Sequence, residues 1–256
     1  MIEFVNLHKS FGQQRVLNGI NLTIPQGEIT AIIGQSGSGK SVLIKHLVAL
    51  IRPDSGQVLV DGAELGQLHG KALDLVREKF GVLFQGGALF DSMTLFDNVA
   101  FPLREKTRLA EAEIAKRAIQ RLEAVGLADM GHKYPAELSG GMKKRAALAR
   151  ALVQDPAIIL FDEPTTGLDP ILLNSIHRLI LDAHKRFGFT AVVVSHEIPE
   201  IFDIAQTVAL LHDGVIVECG SPEVIMTSAN PVVRQFITGG GHGPIRPGPG
   251  SRSSSP

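Results

Sequence analysis

The chain of 256 residues lacks a second cysteine. Cys219 stands alone, so no intramolecular disulfide can form and nothing points to an oxidising compartment. It also lacks a charge excess, with 25 Lys plus Arg against 26 Asp plus Glu and a net charge of -1. Proteins that wrap nucleic acid carry a basic footprint, so nucleic acid is not an expected partner. No apolar run approaches the ~18–20 residues needed to span a bilayer. The start, Met1-Ile2-Glu3-Phe4, lacks the basic-then-apolar order of a signal peptide. No internal repeat of about 20–50 residues is visible. Together these absences predict a soluble cytoplasmic protein that reaches a membrane only through a partner. What is present is ordinary for a globular chain. Hydrophobic residues make up 44% and charged residues 20%, which excludes whole-chain disorder and suits one large domain or two small ones.

Short apolar segments at 2–5, 20–24, 28–33, 57–60, 80–84, 158–161, 191–194 and 208–211 read as strands. Pro25-Gln26-Gly27 marks a turn, and Asp213-Gly214 between two apolar runs marks a hairpin. Residues 42–50 suit a helix that stops before Pro53. Residues 110–125 carry Ala115, Ala118, Ile119 and Leu122 at helical spacing, and 139–153 suit a further helix. Strand-helix units, a helical insertion and more strand-helix units predict an α/β core with a mostly parallel sheet and a helical subdomain at about 86–154. Residues 239–256 contain 6 Gly, 4 Pro and 4 Ser. They form a tail, after a folded region of 1–238, whose composition cannot bury a core and predicts mobility unless a partner holds it.

Gly34-Gln35-Ser36-Gly37-Ser38-Gly39-Lys40-Ser41 matches G-x-x-x-x-G-K-[ST] in full, between an apolar strand and a helical pattern. The glycines let backbone N–H groups crowd around phosphates, and the following helix adds its positive dipole end. Lys40 is expected to reach the β- and γ-phosphates, and the Ser41 hydroxyl to ligate Mg²⁺. The apolar segment Ala157-Ile158-Ile159-Leu160-Phe161 ends in Asp162 and Glu163. Asp162 suits Mg²⁺, directly or through water. Glu163 is placed to act on the attacking water as general base.

Leu138-Ser139-Gly140-Gly141-Met142, about 20 residues before the Asp-Glu pair, resembles the signature motif of ATP-binding cassette (ABC) proteins. Gln85, Gly167-Leu168-Asp169-Pro170, His196 and Phe11 resemble that family's Q-loop, D-loop, switch histidine and adenine-stacking aromatic, in the same order. The resemblance covers residues 1 to about 220. It implies a P-loop NTPase fold with a mostly parallel core sheet, an antiparallel β subdomain and a helical subdomain, binding ATP and Mg²⁺. It implies that Gln85 ligates Mg²⁺ or its water, that His196 contacts the γ-phosphate, and that Phe11 stacks on adenine. It further implies that Ser139, Gly140 and Gly141 face the γ-phosphate of ATP held by a second copy, so that two chains close head to tail around two nucleotides. Without that resemblance, Lys143, Lys144 and Arg145 read as a solvated helix face.

A single cassette needs a separate integral-membrane permease. Gly86-Gly87-Ala88-Leu89-Phe90 and the apolar residues 93–101 read in part as core, while the family resemblance implies that they line a groove for a permease helix, where Leu89→Asp is expected to uncouple ATPase from membrane assembly without loss of ATP binding. Phe84-Gln85-Gly86-Gly87-Ala88-Leu89-Phe90-Asp91, Asn98-Val99-Ala100-Phe101-Pro102-Leu103-Arg104-Glu105 and residues 138–145 resemble one branch. It is that of bacterial phospholipid transporter ATPases of the lipid-asymmetry or toluene-tolerance type, which work with an MCE-domain lipid-binding protein. Met142, where most of the family has Gln, suits that branch. Val233-Arg234-Gln235-Phe236 and Gly243-Pro244-Ile245 resemble its C-terminal extension, which reaches toward the neighbouring subunit. The branch implies a homodimer on the cytoplasmic face of the bacterial inner membrane, held there by the permease. A small accessory subunit docking on the helical subdomain stays open. The alternatives are a cassette for another solute, or a non-transport switch in cell division or iron–sulfur assembly.

Overall fold

Every residue of the segments Ile29–Ile33, Ile158–Asp162 and Thr190–Ser195 is buried. Strands covered on both faces are the reason these segments read as unbroken apolar runs. A computed structural model describes residues 1–84 and 86–245. Along the chain it contains β1 (Ile2–Phe11), β2 (Gln14–Ile24), β3 (Ile29–Ile33), α1 (Lys40–Leu47), β4 (Ser55–Val60), β5 (Ala63–Glu64), α2 (Lys71–Arg77), β6 (Phe80–Leu83) and α3 (Leu95–Lys106). There follow α4 (Glu111–Ala124), α5 (Gly140–Leu152), β7 (Ile158–Asp162), α6 (Pro170–Phe187), β8 (Thr190–Ser195), β9 (Thr207–His212), β10 (Val215–Gly220), α7 (Pro222–Met226) and α8 (Pro231–Thr238).

Two sheets form. One is antiparallel, in the order β2-β1-β4-β5. The other runs β10-β9-β3-β8-β7-β6 and is parallel except for the β9–β10 hairpin. That hairpin turns at Asp213 and Gly214, both at positive φ (47° and 76°), the conformation a two-residue turn needs. Side chains alternate across a strand, so the parallel sheet serves two cores. Ala31, Ile33, Ile159, Phe161 and Val193 pack toward Val99, Leu122, Leu148 and Ile180 of α3, α4, α5 and α6. Ile32, Leu160, Val192 and Val194 pack toward Leu43 and Leu47 of α1 and toward Ile2, Leu22 and Val58 of the antiparallel sheet. No described helix is long and apolar enough to cross a membrane.

The apolar residues 93–101 largely belong to α3. Thr94 caps this helix by accepting from Asp97 N at 3.1 Å. Asn98, fully buried, accepts from Phe90 N at 2.7 Å and donates to Phe90 O at 3.0 Å and Met93 O at 3.1 Å. It thereby shapes the loop ahead of its own helix. Asn98→Ala orphans these backbone groups and is expected to cost about 2–4 kcal/mol, read as a lower melting temperature. A Tm equal to that of the unchanged chain would contradict this.

The basic triplet on α5 departs from expectation. Lys144 is 8% exposed, and Arg145 donates to Val125 O at 3.1 Å and Ser175 Oγ at 2.7 Å. Lys144 is thus buried while Lys143 and Arg145 are half-buried, so the triplet is not an open, solvated face. At the C-terminal end, residues 239–245 fold back on α8. The Gln235 amide accepts from Ile245 N at 2.7 Å and donates to Ile245 O at 3.0 Å, and Ile245 is buried. The remainder of the Gly/Pro/Ser-rich tail, 246–256, lies outside the described residues.

Candidate nucleotide site

The carboxyl ends of β3, β7 and β8 lie side by side in the parallel sheet. In open α/β sheets this is where ligands bind. Residues 34–39 leave β3 and enter α1. Gly39 opens the helix at φ 102° with no side-chain cap, which leaves the helix N-terminus to an anion. A Cβ at Gly34 would stand 2.3 Å from Leu211 O, so only glycine lets the loop pass the end of β9. Lys40, 4% exposed, donates to Gly34 O at 2.7 Å and Gln35 O at 2.8 Å. Burial lowers its pKa, and the nearby Glu163 and Asp162 pull it back up.

The Ser41 hydroxyl donates to Asp162 Oδ1 at 3.0 Å, across 121 residues of sequence. Burial raises the Asp162 pKa, opposed by that hydrogen bond. The next residue, Glu163, holds φ at 50° while its N–H donates to Val194 O at 3.0 Å. A left-handed non-glycine residue is uncommon, and such backbones cluster at working sites. Here the turn brings Glu163 Oε1 to 3.4 Å from His196 Nδ1, and Thr166 Oγ1 donates to Glu163 Oε2 at 3.1 Å. Glu163 is 18% exposed and His196 45%, so the imidazole caps the carboxylate on its open side.

A cavity of about 930 Å³ borders this cluster. Gln35, Ser36, Gly37, Ser38 and His196 line it, together with Arg15, Val16 and the C-terminal Gln235 and Phe236. The residues fit a phosphate chain and a divalent cation. Ser38 Oγ is buried without a partner among the described residues, the helix N-terminus is uncapped, and Ser41 with Asp162 offers two hard oxygen ligands. Phe11 is 50% exposed at the end of β1 with the Lys9 ammonium 5.5 Å above its ring, and it is not among the lining residues. Ser139 caps α5 by accepting from Met142 N at 3.3 Å, and Gly140 and Gly141 form its first turn beside Leu168 and Leu172. None of these three borders the cavity. Gln85 lies outside the described residues.

Residues 17–166 match the ABC transporter family, which is more than half of the chain. The chain belongs to the ABC transporter family. This cassette binds and hydrolyses ATP. It is 46% identical over 244 residues to the probable ribonucleotide transport ATP-binding protein mkl of Mycobacterium tuberculosis, covering 95% of this chain and 68% of the relative. It is 44% identical over 234 residues to the intermembrane phospholipid transport system ATP-binding protein MlaF of Escherichia coli, covering 91% and 87%. Its fold superposes on the dimeric cassette MJ0796, solved in a post-hydrolysis state with ADP and Pi, with a TM-score of 0.78 and 33% identity. That alignment covers 87% of this chain and 99% of the other.

Sequence motifs did not reach every residue of the cassette's site. Val16 and Leu211 press on the loop glycines, and Gln235 and Phe236 border the cavity from the far end of the chain. Val16 and Leu211 carry no local signal, because they act through backbone or shape, whereas Gln235 and Phe236 belong to the stretch that resembles the branch's C-terminal extension. Thr166 does lie within reach of sequence reasoning, as a hydroxyl three residues after Glu163.

Proposed function

We propose that this chain is the ATP-hydrolysing subunit of a phospholipid transporter, paired with a second copy beneath a separate permease and served by an MCE-domain lipid-binding protein. The near end-to-end match with MlaF carries this reading. The mycobacterial relative, by contrast, extends well beyond this chain. In the proposed site the loop N–H groups, Lys40 and the α1 N-terminus hold the triphosphate. Ser41 and Asp162, joined by Gln85 as the resemblance implies, hold Mg²⁺. When bound, that ion neutralises phosphate charge and aligns the terminal group. Glu163 takes the proton of the attacking water. His196 supports the γ-phosphate and stays in hydrogen-bonding range of Glu163. Phe11 stacks on adenine at the outer edge.

The dimer follows from what one chain leaves apart. The loop, Glu163 and His196 converge within the chain, whereas Ser139, Gly140 and Gly141 open a helix N-terminus away from the cavity. A second copy brings that anion-binding end to the γ-phosphate, so ATP joins the two chains and hydrolysis releases them.

The permease groove rests on the loop after β6. Phe84 and Phe90 are 37% and 42% exposed, while Leu89 packs partly on the core. Phe90 therefore gives a cleaner test than Leu89, since its side chain leans on Phe101 at the surface and its backbone is held by Asn98. Phe90→Asp is expected to abolish co-purification of the permease and leave ATP affinity unchanged. Undiminished co-purification would count against the groove. The function itself is tested by a tagged pull-down from solubilised membranes, followed by ATPase and lipid-transfer assays of the isolated complex. A permease with an MCE-domain protein, and ATP-dependent phospholipid movement, is the expected result. ATP-dependent ribonucleotide movement, or a division or cluster-assembly partner, would leave the ATPase standing and sink the lipid reading.

A further inference from the structure

Behind the hydrolytic pair lies a second polar cluster that the chemistry above does not use. Four segments build it: Lys144 of α5, Thr165 after β7, His177 of α6 and Glu197 after β8. Lys144, Thr165 and His177 are 8%, 1% and 3% exposed. Thr165 Oγ1 donates a hydrogen bond to Glu197 Oε2. Glu197 N donates to the buried Ser195 hydroxyl at 3.1 Å, and Glu197 O accepts from Ile201 N at 3.3 Å. The Lys144 ammonium faces both Glu197 and Glu163, and burial lowers its pKa against their attraction. His177 faces Glu197, Glu200 and Asp203, and burial holds its imidazole below the ordinary range.

A part-buried carboxylate is costly unless hydrogen bonds and opposite charge meet it. Glu197 has both. Its position gives the arrangement a consequence for catalysis. Glu197 directly follows His196, and Thr165 stands two residues beyond Glu163. The Thr165–Glu197 bond therefore clasps the two segments whose side chains meet at 3.4 Å. The charge of Lys144 acts on Glu197 from the helix that Ser139, Gly140 and Gly141 open.

We propose that Glu197 is a positioning residue for ATP hydrolysis, clasped by Thr165 and faced by Lys144 so that the segment carrying His196 is fixed against the segment carrying Glu163. This role rests on the ATPase reading above. It acts on the geometry of the hydrolytic step and leaves nucleotide affinity alone.

The test uses the full chain in its assembled transporter. Thr165→Val removes the hydroxyl and Thr165→Ser keeps it. Thr165→Val and Glu197→Ala are each expected to lower kcat about tenfold or more, with KM for ATP within about twofold. Thr165→Ser is expected to keep near-normal kcat. The double variant is expected to fall no further than the weaker single, since both remove one bond. A normal kcat in Thr165→Val, an equal loss in Thr165→Ser, a matching rise in KM, or fully additive losses each overturn the role. Should Glu197→Ala fail to fold, the two Thr165 variants decide alone. Glu163→Gln runs alongside. Absence of hydrolysis by the unchanged complex sinks the ATPase reading, and retained hydrolysis in Glu163→Gln removes Glu163 as the base the clasp would position, whereas an inert Glu163→Gln beside an unaffected Thr165→Val sinks only the positioning role.

Discussion

Glu163→Gln is expected to bind ATP normally, to lower kcat by about 10² or more, and to accumulate as an ATP-bound dimer. Glutamine keeps the length of the side chain and can still accept from Thr166 Oγ1, which donates to Glu163 Oε2 at 3.1 Å in the unchanged chain. The backbone that aims the residue is independent of its carboxylate, because the turn is held by the bond from Glu163 N to Val194 O. What glutamine loses is the ability to take a proton from water. The ground state is therefore preserved and the hydrolytic step is removed. If ATP joins two chains and hydrolysis parts them, the closed state must persist. Phosphate release by the purified complex, paired with size-exclusion chromatography of the variant with and without ATP, measures both halves. Turnover at the normal rate would rule out Glu163 as the base. Lost turnover without a dimer would separate the chemistry from the closure.

Lys40→Ala is expected to fail earlier, at binding. The Lys40 ammonium is buried near Glu163 and Asp162, so it supplies positive charge to a triphosphate brought into that pair. Charge-assisted hydrogen bonds contribute about 1.5–3 kcal/mol each, which predicts about 10–150-fold weaker ATP affinity. Turnover is expected to vanish, since the buried charge that holds the triphosphate against Glu163 and Asp162 is gone. Removing the ammonium also frees Gly34 O and Gln35 O, to which it donates at 2.7 and 2.8 Å. A small loss of loop order is expected on top of the charge effect. Calorimetric titration with ATP distinguishes the cases. An unchanged Kd contradicts the assignment, and a raised Kd in Lys40→Ala but not in Glu163→Gln supports the division of labour between the two residues.

Much of the machinery is legible in the sequence because it is local. Eight consecutive residues carry the phosphate loop, one strand ends in two acids, and β3, β7, β8 and β9 read as apolar runs because both their faces are covered. Asp213-Gly214 announces its hairpin for the same reason: its φ values are demanded by the turn and supplied by those residue types. Other elements escape. Periodicity does not single out α3, because Pro102 falls inside it and ordinarily ends a helix. Nor is α6 assigned, although Asp169 caps it and Pro170 opens it, because the apolar cluster at its start blends with the motif before it. β1 runs to Phe11, well past its apolar start, because pairing with β2 carries it beyond the stretch that alternation marks. The face expected to be solvated at 143–145 is half-buried, with Lys144 itself buried, because α5 packs against α3, α4 and α6.

By itself, then, the sequence determined the chemistry that short spacing can encode, the phosphate loop and the paired acids, while resemblance to a family singled out the histidine after β8 and the glycine turn at 139–141. Only the tertiary structure decided which of these meet. It brought Ser41 to Asp162 across 121 residues and set His196 against Glu163 through a left-handed turn. It kept the 139–141 turn out of the cavity that Gln235 and Phe236 enter from the other end of the chain. It also clasped Thr165 to Glu197. The reason is that such contacts are fixed by the order of strands in the sheet and by burial on its two faces. Both arise from packing the whole chain at once, and neither is encoded in the spacing of neighbouring residues.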